Sequence, residues 1–166
     1  MNIDDFNALD AASARAEVAV WAAIPSWVEA VIGGRPYHDV DDLAAAAASA
    51  TRDWTRADLD TALAHHPRIG ARATGDDAEA AASRREQASM TDAAADVAAR
   101  IADGNAAYEA RFGRVFLIRA AGRSPEEMLS ELERRLANDD GTEAREAAGQ
   151  LAEIALLRLR AAVTEG

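Results

Sequence analysis

The chain contains no cysteine, which removes disulfides, a thiolate nucleophile and any cysteine-based zinc site. It contains no lysine either; all 18 basic residues are arginine, a bias that belongs to genome composition rather than to function. Positive charge is scarce overall, with 18 basic against 29 acidic residues and a net charge of -11. That balance argues against a nucleic-acid surface or an anionic-membrane binder, because both need a basic patch to meet phosphates. A small anionic substrate stays open, provided that arginines cluster locally against the overall field. No apolar run is long enough to span a bilayer. The acidic opening also lacks the basic stretch and apolar run of a secretory signal. The expectation is a cytoplasmic protein with no nucleic-acid or membrane partner.

What is present points to helices. At 166 residues the chain is long enough for one substantial core and is read as a single domain, residues 1–166. Alanine is abundant, β-branched residues are sparse, and apolar positions recur at spacings of three and four, so the domain is expected to be nearly all-α. Ile3, Phe6 and Leu9 mark a short first helix, and a second should stop before Pro25. Ser26 is a cap for the next, Asp41 or Asp42 for the one after, and Thr55 for a helix that the proline after His66 terminates. An Ala-rich helix carries Ser83-Arg84-Arg85-Glu86-Gln87, and Thr91 is placed as the cap of a helix with Val97, Ile101, Asn105 and Tyr108 on one face. Val115 to Ile118 breaks this rhythm and is read as a buried extended segment near residues 114–119. Ser124-Pro125-Glu126-Glu127 combines an N-cap, a proline at the first helical position and a capping-box glutamate. After a turn at Asn138 to Thr142, the last helix is expected from about Glu143 to Val163.

Three constellations could carry chemistry. His65 and His66 precede Pro67; a histidine held beside a rigid proline suits acid/base work. Equally, one imidazole could satisfy the last carbonyls of the helix while the other is solvated. Ser83, Glu86 and Gln87 share one helical face, with Arg84 and Arg85 pointing away. Together they offer donors and acceptors for a small, flat, nitrogen-rich ligand, or simply a polar solvent face. In the last helix Arg158 falls in the middle of an apolar arc of Leu151, Ile154, Ala155, Leu159 and Ala162, while Arg160 lies on the polar side. A guanidinium there must be ion-paired or must reach an anion.

Taken with the segments Tyr108 to Ser124, Glu131 to Asp139 and Ala152 to Val163, and with Ser26 to Tyr37 upstream, these pieces resemble the OHCU decarboxylase family in order and spacing over essentially the whole chain. That family converts 2-oxo-4-hydroxy-4-carboxy-5-ureidoimidazoline to (S)-allantoin in purine degradation. The resemblance implies an all-α fold of about eight helices, no cofactor, no metal and a homodimer. It implies that His66, not His65, is the catalytic histidine, acting with Glu86. It further implies that Pro67, Ser83, Gln87, Ile118, Arg119, Ala120, Ala121, Gly122 and Arg158 meet the small-molecule ureidoimidazoline substrate.

The sequence departs from that pattern at Arg114 and Val115, where many members carry an aromatic or aliphatic residue and proline. The ending Val163-Thr164-Glu165-Gly166 carries no peroxisomal signal, so a bacterial-type cytoplasmic member is expected. Two readings compete. In a non-catalytic helical interaction module, the histidine pair is a helix stop and Arg158 a structural ion pair. A metal-dependent hydrolase would use His38, His65 or His66, but none of these shows the spacing of a helical zinc site.

Overall fold

A computed structural model describes residues 1–64, 66–70, 78–86, 88, 90 and 93–166, with the side chains of Glu79 and Glu86 outside that description. Among the described residues there is no strand, only one isolated parallel bridge between Asn2 and Thr164. The helices are α1 (Ile3–Ala8), α2 (Ala11–Trp21), α3 (Pro25–Gly33), α4 (Val40–Ala50), α5 (Arg56–Leu63), α6 (Ala78–Glu86), α7 (Ala95–Phe112), α8 (Pro125–Arg135) and α9 (Asp140–Ala162), with a 3₁₀ turn at Thr51–Asp53. The all-α expectation is met, with nine α-helices among the described residues.

The starts of several helices differ from the sequence expectation, each for a local reason. Pro25 does not merely stop α2, which ends at Trp21; it occupies the first turn of α3, where its fixed φ suits the helix and no amide is lost, so Ser26 lies inside. The α4 cap is Asp39 rather than Asp41 or Asp42. Its carboxylate accepts the Asp42 amide at 2.8 Å, and the other two acids complement the helix dipole from the first turn. Asp139 likewise accepts the Thr142 amide at 2.8 Å, so α9 begins at Asp140 inside the expected turn. Helix α7 follows Ala94, which makes no side-chain cap bond; Thr91 lies outside the described residues. The α8 start is as expected, with Ser124 and Glu127 forming a reciprocal capping box behind Pro125.

The chain divides into two compact units: Met1–Ala62 with Ala152–Gly166, and Leu63–Leu151. In the first, α2 packs on α3 and α3 on α4, burying Phe6, Val18, Trp21, Trp27, Val31 and Leu43. The Trp27 indole donates to the Ala47 carbonyl at 2.9 Å. Arg35, in the segment ending Arg35-Pro36-Tyr37, serves the fold. Its guanidinium donates to the carbonyls of Phe6 (2.9 Å), Leu9 (2.8 Å) and Ile32 (3.2 Å), closing the ends of α1 and α3. The chain ends pair here too, the Ile3 amide donating to Thr164 and the Thr164 amide to Met1, each at 3.0 Å.

In the second unit α7 packs on α8 over a core that includes Ile69, Ile101, Tyr108, Phe116, Ile118, Ala120, Met128 and Leu132. The close approach needs Gly104, where a Cβ would stand 2.6 Å from Leu132 Cδ2. Residues 115–120 are non-helical and join no ladder, as the break in rhythm suggested. Arg114, at the departure from the family pattern, is buried, and its guanidinium reaches the Asp140 carboxylate at 3.4 Å.

Candidate active site

Helix α5 ends at Leu63, earlier than the histidine pair, because a residue before proline is disfavoured in helical geometry. The chain then turns, the His66 amide donating to the Leu63 carbonyl at 3.1 Å. His66 is 9 % exposed and Pro67 half-buried, so this imidazole is held inside the protein rather than solvated. His65 lies outside the described residues.

Downstream, the turn is fastened to α7. Asn105 donates from Nδ2 to the Ile69 carbonyl at 2.9 Å, and Arg68 pairs with Glu109, Nη2 to Oε2 at 2.8 Å. The carboxylate of Glu109 raises the Arg68 pKa, keeping that charge firmly in place. Ile69 shares its core with Ile118 and Ala120. The structure therefore joins the histidine turn and the Ile118 to Gly122 segment through one apolar cluster.

On α6, Ser83 is 1 % exposed whereas Arg84 and Arg85 face outward, as the helical spacing required. A hydroxyl buried to that degree is not part of a solvated face. Glu86 is the last residue of α6, described by its backbone alone, and Gln87 lies outside the described residues.

The Ile118 to Gly122 segment is held by side chains. The Arg119 amide donates to Gln150 Oε1 at 2.8 Å, and the Arg119 guanidinium bends back to the Ala121 carbonyl at 2.8 Å. The Arg123 amide closes a turn on the Ala120 carbonyl at 3.0 Å, with Gly122 at φ +79°, a conformation that side chains rarely adopt. Just upstream, Arg135 donates to the Leu117 carbonyl at 2.7 Å.

That arginine belongs to a buried network which sequence reasoning missed. Arg135 is 1 % and Glu143 0 % exposed; they pair through Nε and Oε1 at 3.0 Å. Tyr108 donates its hydroxyl to Glu143, Asn138 adds a bond at 2.8 Å, and the guanidinium lies 4.6 Å from the Phe116 ring centroid. Burial first, then the neighbouring carboxylate, push the Tyr108 phenol well above its ordinary pKa of 10.0, so it stays a donor. A signal existed: Met128, Leu132 and Arg135 fall at i, i+4 and i+7. Glu143 and Gln150 carried none.

Arg158 lies in the first unit, 7 % exposed among Leu151, Ile154, Ala155 and Leu159 as the apolar arc required, and donates to the Val20 carbonyl at 3.0 Å. Arg160 is exposed and pairs with Asp41 at 2.8 Å. A cavity of about 320 Å³ within the second unit is lined by Arg68, Ile69, Gly70, Met90, Asn105 and Glu109 among others; the predicted substrate-binding residues are not among its described lining. His38, Asp39 and Asp42 bring possible metal-ligand atoms within 4.8 Å of one another on the surface. The Asp39 carboxylate is already engaged as the α4 cap and by the His38 ring at 3.0 Å.

Comparison with known proteins gives a consistent result. A sequence model of the family described as OHCU decarboxylase matches residues 7–160. A 2-oxo-4-hydroxy-4-carboxy-5-ureidoimidazoline decarboxylase of Haloferax volcanii is 30 % identical over 158 residues, covering 95 % of this chain and 89 % of that protein. The protein of the same name from Amia calva is 34 % identical over 138 residues, covering 82 % and 79 %. In fold, the chain is similar to the crystal structure of OHCU decarboxylase in the presence of (S)-allantoin, with a TM-score of 0.75 at 23 % identity, covering 89 % of this chain and 96 % of that one. A crystal structure of (S)-allantoin synthase gives 0.74 at 16 % identity, covering 98 % of this chain and 54 % of that one.

Proposed function

The chain belongs to the OHCU decarboxylase family, and from that premise we propose that it is a carboxy-lyase of urate degradation, converting 2-oxo-4-hydroxy-4-carboxy-5-ureidoimidazoline to (S)-allantoin and carbon dioxide. The observation that carries the assignment of its centre is the buried His66, fixed between the end of α5 and Pro67 in a chain that matches the family over residues 7–160.

The substrate contains its own electron sink. The bond between its carboxylate and the hydroxyl-bearing ring carbon breaks, and the electron pair passes into the adjacent C=N bond, whose nitrogen takes a proton. The resulting enol gives up its hydroxyl proton while the ring carbon bearing the ureido group gains one, on a single face. His66 is the general acid/base for these transfers, since an imidazole can both give and take a proton near neutrality. Glu86 orients or deprotonates the hydroxyl. Ser83 and Gln87 read the ureido and ring amides, Pro67 packs beside the histidine, and Arg158 offers its planar fork to a carbonyl or carboxylate oxygen. Ile118, Arg119, Ala120, Ala121 and Gly122 hold one face of the enol through their backbone, which makes the product a single enantiomer. Burial of Ser83 and the shared core of Ile69, Ile118 and Ala120 support this assignment.

The family match runs across both compact units, which supports treating residues 1–166 as one catalytic domain. No helix of the described residues is long and apolar enough to cross a membrane. We place the reaction in the cytoplasm and the enzyme as a homodimer, the latter on the family resemblance; cell fractionation and light scattering test them. The decisive assay adds the protein to substrate freshly made from urate by urate oxidase and hydroxyisourate hydrolase, and follows circular dichroism. Rapid formation of optically active allantoin is expected; racemic product at the spontaneous rate would overturn the reading.

A further inference from the structure

A segment outside helices and strands still has to satisfy its backbone polar groups, and the side chains that do so determine where those groups point. Ile118 and Ala120 are buried at 5 % and 4 % exposure, which anchors their side chains in the core. Anchored side chains do not fix the peptide planes between them; hydrogen bonds must. The plane between Ile118 and Arg119 is set by Gln150, whose Oε1 accepts the Arg119 amide at 2.8 Å. The next stretch is closed by the Arg119 guanidinium on the Ala121 carbonyl at 2.8 Å. One plane earlier, Arg135 takes the Leu117 carbonyl, but that arginine is also half of a fully buried ion pair, so the fold itself depends on it. Gln150 has no such second duty. It is half-buried on α9, where helix formation alone would accept many side chains equally well.

We propose that Gln150 is a positioning residue for the decarboxylation: by accepting the Arg119 amide it holds the Ile118 to Gly122 backbone in the orientation that meets the substrate. This rests on the reading that the segment contacts substrate. Without that acceptor the plane turns until its N–H finds water, and the carbonyl of Ile118 turns with it. The remaining clamp, Arg119 on Ala121, then closes a segment that points elsewhere.

The test compares wild type, Gln150→Leu and Gln150→Glu by steady-state kinetics, thermal melting and amide NMR during titration with (S)-allantoin. The product is uncharged, so the carboxylate in Gln150→Glu does not repel it and still accepts the Arg119 amide. In wild type, allantoin should shift the amides of residues 118–122. Gln150→Leu should weaken allantoin binding and raise KM about tenfold, the effect of losing one hydrogen bond, with a smaller change in kcat and an unchanged melting temperature. Gln150→Glu should restore both the Arg119 amide resonance and allantoin affinity. Wild-type affinity and KM in Gln150→Leu, equal losses in both variants, or a loss explained by melting would overturn the positioning role. Absence of shifts at residues 118–122 in wild type would instead overturn the substrate-contact reading on which it stands.

Discussion

His66 and Arg158 are buried and Arg160 is exposed, and the variants of the two histidines and of the two arginines should separate. His66→Ala is expected to lower kcat by about 10²–10⁴, the usual contribution of a positioned acid/base group, whereas His65→Ala should stay near wild type; the circular dichroism assay of allantoin formation reads both. Arg158→Leu should raise KM about 10–100-fold, the loss of one hydrogen bond to a charged partner, while Arg160→Leu, which breaks only an exposed pair with Asp41, should leave KM unchanged. If Arg158→Leu lowers the unfolding free energy without altering KM, its guanidinium serves the fold, through bonds such as that to the Val20 carbonyl, and not the substrate. At this scale the sequence was informative where a residue type contradicted its surroundings. An arginine in an apolar stripe was expected to be ion-paired or to reach an anion; Arg158 is buried, and the bond described for it goes to the Val20 carbonyl. The same contradiction is present at Arg135, but there the partner, Glu143, lies across a turn in another helix. No spacing rule connects them, and the bond to the Leu117 carbonyl depends on tertiary structure alone.

Helices were legible through their periodicity, and their starts only where the cap signal was unambiguous. Ser124 was recognisable because serine, proline and glutamate occupy three defined positions; Ser124→Ala should cost about 1 kcal/mol in urea unfolding, with no change in KM. At α4, three acids compete within four residues, and the one that wins, Asp39, is the one whose oxygen reaches the amide three residues on. The connection from α7 to α8 was legible only as an absence of helix. What holds it is the network of Tyr108, Arg135, Glu143 and Asn138, which joins α7, α8 and α9. Arg135→Ala should destabilise the protein by about 3–5 kcal/mol, because it leaves Glu143 buried without its cation. Tyr108→Phe should cost about 1.5–3 kcal/mol, the loss of one hydrogen bond to a charged group whose Oε1 Arg135 still meets. Denaturant unfolding distinguishes the two, and the larger loss in Arg135→Ala is the required order.

Across the whole molecule, acid should be more damaging than the relief of a net charge of -11 would suggest. Asp10, Asp39 and Asp139 are held below their ordinary 3.8 chiefly by backbone amides at helix starts, and Glu29, Glu131 and Glu146 below 4.5 chiefly by arginine partners. A carboxylate whose folded pKa is depressed contributes stability that is complete above its unfolded value and is lost as pH falls through the folded one. Melting temperature should therefore hold from pH 7 to about 5 and fall below about 4, and at about 0.15 M salt, where long-range repulsion is screened, the fall should persist. The division into two units, one of them built from both ends of the chain, was not legible at all, since helix periodicity says nothing about which distant segments meet. It has a consequence for synthesis. Residues Leu63–Leu151 are contiguous, so the internal contacts of that unit can form without Ala152–Gly166. The unit begun first can pair α2 with α3 and α3 with α4 as soon as these are made, but it is complete only when Ala152–Gly166, the last residues synthesised, join it.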